Sequence, residues 1–403
     1  MCEENDLNRR FKFDFDAPQV SAVDVEKLKA FLMKDEEPTL IFYGGEPLLQ
    51  MDKIKELIDG LQNVPNIKFR MQTNGKLLDK FDIGYLKKIG KILVSIDGTK
   101  ERTDFNKGEG TYDKVVGNLQ AIRAAGYDGE IVARMAVSGF SDVYEQVMHL
   151  AGLTTCADNS RLLPHRPAPR PPAPESAHAD SDICKLSYLP CQAGGRSAPG
   201  KLLGNSRGVF DSIHWQLDVG FYSCDYELEG IRKFVEGYNK GISKLVDWWV
   251  SEIKLGKVWK LYPFLGIFEN LYYGRETKLM CGAGHSGYTI TTDGNLVACP
   301  IMGCMPDFYC GTLDSAPSEL REIGPASRCE ECAYLKDCGG RCLYVNSVNL
   351  WPPEGLDMVC SSVKYLIDLL KGKLEEIRGL IAKCVVSEKD FEYEKYFGPE
   401  IVP

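Results

Sequence analysis

The sequence predicts an α/β domain with a parallel sheet, followed by a small cysteine-rich domain. Three observations predict it. Residues 20–151 alternate strand-like and helix-like segments, as repeated β–α units do. The strand-like runs end in glycine turns, GG at 44–45, TNG at 73–75 and IDG at 96–98. Near the C-terminus, Cys329, Cys332, Cys338 and Cys342 follow the spacing C-x2-C-x5-C-x3-C. Cys281, Cys299 and Cys360 flank them. Thiols this dense are bridged, metallated or reactive.

The elements follow in order. Ser21 to Asp24 reads as a capping box opening a helix with Val25, Leu28 and Leu32 on one side. TLIFYGG (39–45) is a continuous apolar run ending in glycines, as a buried parallel strand would be. MDKIKELIDGL (51–61) has helical periodicity, and IKFRMQ (67–72) reads as a strand. LKKIG (86–90) closes a helix on its glycine. KILVSIDG (91–98) is a strand running into a turn, 112–126 a helix, and EIVARMAV (130–137) a strand. Ligand chemistry then belongs at the C-terminal ends of the strands.

The rhythm stops near residue 152. Residues 152–208 are rich in proline, alanine, serine and arginine and have no hydrophobic period. Such a composition predicts a disordered insertion. Excising it joins the helix YEQVMHL to the next strand, FDSIHWQLD. Cys156, Cys184 and Cys191 within it are given no role. The domain boundaries are therefore 1–151 with 209–225, the insertion 152–208, a helical connector 226–277, a cysteine-rich domain 278–361, and a helix and tail 362–403. Trp248 and Trp249 in the connector read as core aromatics. Leu366, Leu369, Leu370 and Leu374 mark the last helix, and YFGPEIVP reads as a loose tail.

With 403 residues the chain is long enough for two or three domains, and its net charge of −9 gives no support for a nucleic-acid partner. No run of 18 apolar residues suggests a membrane helix. The start, MCEENDLNRRFKFDFD, lacks the apolar stretch of a signal peptide. A reducing, cytoplasmic setting is the expectation, in which the 15 cysteines serve as ligands rather than disulfides.

Each strand-end motif is weak alone. Gly44-Gly45-Glu46-Pro47, TNG and SIDG all read equally as ordinary tight turns. The cysteines alone admit a structural zinc site. In this order, ahead of this cysteine set, the motifs stop being independent. Residues 39–137 and 210–218 resemble the partial (β/α)6 barrel of radical S-adenosylmethionine (SAM) enzymes. The seven cysteines resemble a SPASM domain, which holds auxiliary iron–sulfur clusters. More narrowly, the chain is similar to the archaeal-type peptide-modifying subgroup.

The resemblance implies an oxidoreductase-type enzyme that modifies a peptide or protein. A reduced cluster would cleave SAM to methionine and a 5′-deoxyadenosyl radical, which abstracts a hydrogen from substrate. Gly44, Gly45, Glu46 and Pro47 would clamp the SAM amino group. Ser95 would contact its carboxylate or ribose. Lys107 stands where relatives carry an arginine, keeping the charge without the bidentate fork. Arg134 is a second candidate for the carboxylate, against the plainer reading of a surface salt bridge. Gln216 and Leu217 would pass near the adenine, and His214 reads as packed rather than catalytic. No catalytic residue is assigned. Cys329, Cys332, Cys338 and Cys360 would bind one [4Fe–4S] cluster; Cys281, Cys299 and Cys342 would bind another. The fourth iron of the second cluster is left open, or taken by Cys304 or Cys310. A ferredoxin- or flavodoxin-type electron donor is also implied.

Such enzymes hold the SAM-binding cluster with a C-x3-C-x2-C motif after the first strand. This chain has only Cys2 in that neighbourhood. Cys2 then reads as the third ligand, with the first strand and two ligands missing from a truncated or mis-started sequence. The expectation is that the chain as written binds SAM weakly and does not cleave it. The competing class is a non-catalytic iron–sulfur or zinc protein that interacts with a peptide.

Overall fold

The computed structural model describes residues 10–18, 20–138, 141–154, 208–218, 228–348, 353–396 and 398. Five parallel strands form one sheet in sequential order: β1 (Thr39–Phe42), β2 (Lys68–Thr73), β3 (Ile89–Ser95), β4 (Glu130–Val137) and β5 (Ser212–Leu217). A single parallel bridge from Ile213 to Leu261 continues the sheet past β5. The helices between strands are α1 (Val25–Leu32), α2 (Met51–Leu61), α3 (Ile83–Leu86), α4 (Lys100–Lys107), α5 (Thr111–Ala124) and α6 (Val143–Thr154), the first of them preceding β1.

Alternation along the strands sorts two faces. On β2, Phe69, Met71 and Thr73 are buried while Arg70 and Gln72 are partly exposed. Met71, Ile92, Ala133 and Ile213 join the main core with Ile58, Leu119 and Val147 of the helices. The opposite face looks inward, where Leu93, Val132 and Tyr262 pack together with Ile41 and Tyr393. An α/β sheet curling around an inward face leaves its strand C-termini at one mouth.

The other end is closed by charge. Arg70, Lys91 and Glu130 lie side by side in register on β2, β3 and β4. Glu394, from the C-terminal segment, pairs with Arg70 at 2.7 Å and with Lys91 at 2.8 Å. Lys91 also reaches Glu130 at 2.9 Å and the Tyr262 hydroxyl at 2.7 Å. The C-terminal segment is therefore anchored as far as Tyr396, whose ring lies edge-on to His285. This corrects the loose-tail expectation for Tyr396. The rest of YFGPEIVP, apart from Gly398, lies outside the described residues.

After β5 come α7 (Leu228–Lys254) and α8 (Tyr262–Tyr273), the helical connector; Trp249 is fully buried, as expected. The cysteine-rich region contains an antiparallel sheet of β6 (Thr289–Ile290), β7 (Asn295–Val297) and β8 (Tyr309–Thr312), then α9 (Leu335–Cys338) and α10 (Leu343–Val348). The last helix, α11 (Pro353–Ala382), packs along α7, where the Ser362 hydroxyl donates to Asn239 Oδ1 at 2.8 Å.

Two local expectations are corrected. The cap of α1 is Asp24, whose carboxylate accepts from the Lys27 amide; Ser21 lies outside the helix and accepts from Val23. A carboxylate also suits the positive end of the helix dipole. Gly90 does not end a helix but sits in β3, where a Cβ would meet Arg70 Nη1 at 2.8 Å. The predicted insertion, residues 152–208, falls mostly outside the described residues. Its ends do not: the Val209 amide donates to the Leu153 carbonyl at 2.9 Å. Among the described residues, no helix is long and apolar enough to cross a membrane.

Candidate functional site

The mouth is built from the turns that end the strands. After β1, Gly44 and Gly45 have φ of 103° and 54° and nothing within 4 Å of where a Cβ would stand. Their backbone therefore borders open space in a conformation suited to glycine. Glu46 next caps the short turn at Pro47–Gln50 by accepting from the Leu48 amide. The same carboxylate accepts from the Thr73 hydroxyl at 2.6 Å and the Asn74 amide at 2.7 Å. Glu46 thus locks the GGEP turn to the TNG turn after β2. Pro47 is buried beneath it.

The IDG turn after β3 has a different hub. Asp97 is 2% exposed and accepts from the Ala136 amide at 2.9 Å and Asn106 Nδ2 at 2.8 Å. Lys107 Nζ lies 3.2 Å from its second oxygen. Lys107, expected to face a ligand carboxylate, is therefore paired with a carboxylate of the protein. Nearby, the Arg102 guanidinium donates to the Ser138 hydroxyl. Its buried Nε has no hydrogen-bond partner among the described residues.

Ser95, Arg134 and His214 stand side by side in register across β3, β4 and β5, on the inward face. Arg134 donates to Gln216 Oε1 at 2.7 Å. Burial draws its guanidinium below the ordinary value, while Tyr43, Asp97 and Cys342 act in the opposite direction. The side chain is partly buried, and its hydrogen bond goes to an amide oxygen rather than to a carboxylate. His214 is 1% exposed, and neither ring nitrogen has a hydrogen-bond partner among the described residues. Burial holds its pKa well below the ordinary value, and the Arg134 charge adds to this. The imidazole is neutral at physiological pH. Leu217 is on the other face, buried in the helix-packed core with Trp215. Its neighbour Gln216 is the residue of that pair on the Arg134 side. Asp218, just past β5, has its carboxyl raised by burial and by Asp97, with Arg102 and Lys107 opposing.

The cysteines gather in two sets. Cys329, Cys332, Cys338 and Cys360 line one cavity, together with Arg328, Arg341 and Asn346, and Cys342 of the second set also borders it. Two side chains address the sulfurs directly: Asn346 Nδ2 lies 3.0 Å from Cys329 Sγ, and Arg328 Nη2 lies 3.4 Å from Cys360 Sγ. Burial pushes the Cys338 thiol up to about 11, against Arg341. The second set is Cys281, Cys299 and Cys342. Cys281 and Cys342 share a small apolar cluster with Val345 and Tyr344. Burial pushes Cys299 up to about 12, with Cys342 and Cys281 contributing. Cys304 and Cys310 belong to the core around Cys299. Cys310 contacts the Phe308 carbonyl, and Cys304 acts on Tyr344.

Among the described residues, no three or more His, Cys, Asp or Glu converge as one metal ion demands. A zinc ion gathers its sulfurs about 2.3 Å from one centre. A cubane holds each thiolate on its own iron, so the sulfurs stand further apart. Five thiols around a shared cavity suit a polynuclear group, and nine of the described cysteines are free thiols. Cys384 is disulfide-bonded, an exception to the expectation that the cysteines serve as ligands. Cys2 lies outside the described residues.

Sequence reasoning missed Asp97, Arg102, Asp218, Arg328, Arg341 and Asn346. Asp97 was legible within SIDG as a possible cap. The others carry no motif, because their role depends on what folds against them.

Residues 13–151 match the model of the radical SAM superfamily. No curated protein matches the chain. Among solved structures, the chain is similar to a hexahistidine-tagged form of anSMEcpe with bound AdoMet, with a TM-score of 0.59 and 16% identity over 88% of this chain and 90% of that one. Native anSMEcpe with bound AdoMet and Kp18Cys peptide gives 0.58 and 15%, over 88% and 90%. At these identities the likeness is one of fold. The radical SAM region and the α/β fold agree with the architecture expected from the sequence.

Proposed function

We propose that the chain is a radical SAM/SPASM-type enzyme that modifies a peptide or protein, with two auxiliary [4Fe–4S] clusters. The observation that carries this reading is the grouping of the seven cysteines. Cys281 and Cys342, 61 positions apart, share one cluster, Cys329 and Cys360 line one cavity, and the charge of Cys342 bears on Arg134 at the barrel mouth. Bound SAM beside a reduced cluster would supply a carbon-centred radical for hydrogen abstraction. The chain's own residues bind and orient. The Gly44–Gly45 backbone offers carbonyls without side chains in the way. Arg134 offers a partly buried guanidinium for a carboxylate, with Gln216 fixing its direction and Ser95 beside it. Glu46 holds the clamp in place through Thr73 and Asn74. Lys107, held by Asp97, contributes charge at longer range. Gln216 rather than Leu217 is the β5 side chain available to a ligand.

The fold shared with anSMEcpe, which carries bound AdoMet and a peptide in one of its structures, favours a peptidic substrate. An electron donor of the ferredoxin or flavodoxin type belongs to the same proposal, as does a cytoplasmic setting. The test is anaerobic reconstitution with iron and sulfide. Two cubanes predict about eight irons per chain. Stoichiometric zinc without iron or sulfide would overturn the reading in favour of a zinc protein.

A further inference from the structure

Cys338 and Cys342 belong to different thiol sets but are separated only by Gly339, Gly340 and Arg341. All three intervening residues have positive φ, at 68°, 88° and 61°. The two glycines are explained by crowding: a Cβ would lie 2.9 Å from the Leu279 amide nitrogen at Gly339 and 2.6 Å from Pro325 Cβ at Gly340. Arg341 adopts the same left-handed region without being a glycine. Placing a non-glycine residue in the left-handed region costs about 1–2 kcal/mol. Arg341 is also only 8% exposed, so its charge acts through a low-dielectric surround. Its amide donates to the Cys338 carbonyl, it lines the cavity of the first thiol set, and its chain neighbour is Cys342 of the second.

We propose that Arg341 is a shared electrostatic control for the two thiolate-bound clusters, raising the reduction potential of both. This rests on the iron–sulfur reading above. Each cluster would gain one negative charge when it takes one electron from an external reductant, and no bond is made or broken. A buried cation beside thiols of both sets stabilises the more negative state of each. Net charge near a cluster is a recognised lever on its potential.

The experiment is a redox titration of reconstituted holoprotein with dye mediators, followed by electron paramagnetic resonance. In Arg341→Gln both midpoint potentials should fall, by at least a tenfold change in the one-electron equilibrium constant, about 59 mV. Arg341→Lys should stay close to the wild type. Gln and Lys meet the same backbone strain as Arg, so strain does not separate them. Potentials unchanged in Arg341→Gln, or lowered equally in both variants, would overturn the proposal. If Arg341→Gln loses iron, Arg341→Met is a second neutral variant, whose potentials should fall by a similar amount. Potentials equal to the wild type's in Arg341→Met refute the proposal. Wild-type protein that binds only zinc refutes the iron reading instead, and is told apart at the reconstitution step.

Discussion

At the scale of single residues, the mouth of the barrel is organised by carboxylates that face the protein. Glu46 accepts three hydrogen bonds, two of them from the neighbouring TNG turn. Glu46→Gln leaves one acceptor oxygen and removes the charge. Hydrogen bonds to charged groups contribute about 1.5–3 kcal/mol, so this variant should lower the stability read from urea unfolding by a comparable amount. An unchanged midpoint would show that the turn is held by other contacts. Glu394, at the closed end, titrates in a way that can be followed. Burial raises its carboxyl, but the Arg70 hydrogen bond and the Lys91 charge outweigh burial and leave it below its usual 4.5. Its contribution is therefore complete above about pH 4.5 and lost as pH falls through the lower folded value. The protection factors of residues 392–396, taken relative to intrinsic exchange at each pH, should fall in that acid window before those of the strands. In Glu394→Gln the acid-specific step should vanish. The GGEP motif was legible in sequence because glycine and proline advertise backbone geometry. The partners of Glu46 and Glu394 were not, since Thr73 lies 27 positions from Glu46 and Arg70 lies 324 from Glu394.

At the scale of elements, the strands were the most legible feature, and helix ends the least. Apolar runs such as TLIF and ILVS are too short for a helix and end in glycine. The N-terminal cap and Gly90 were misread because side-chain competition and a close neighbour decided them. Gly75, which ends the TNG turn, is set by both backbone conformation and crowding. Its φ is 76°, and a Cβ would stand 2.9 Å from Val94 Cγ1. Gly75→Ala should cost about 1–3 kcal/mol through strain and displacement of β3. Circular dichroism melts would read the loss. A neutral effect would mean that Val94 and Val115 can move aside.

At the scale of the whole molecule, the β–α rhythm resumes where it stopped. The Leu153 carbonyl and Val209 amide are hydrogen-bonded to each other, so α6 leads to β5 across a very short gap. Replacing residues 155–207 with a short glycine–serine linker should leave the melting temperature and iron content essentially unchanged. A marked loss of either would mean that the segment contributes to the fold or to the clusters. The same closure explains why a compositional break of this size does not disturb the domain on either side.

The sequence by itself determined what is local. Hydrophobic alternation set the parallel strands, glycine turns marked the strand ends, and cysteine spacing separated two ligand sets by resemblance. These signals sit within a few residues of one another, so a linear reading reaches them. Only the tertiary structure decided which side chains share a space. It set Gln216 rather than Leu217 toward Arg134, paired Lys107 with Asp97, and brought Glu394 under the barrel. It also buried Arg341 in the wall of a cavity lined by five cysteines. Each of these depends on a charge or donor meeting a partner across the fold. Electrostatic pairing has no period, and so leaves no pattern along the chain.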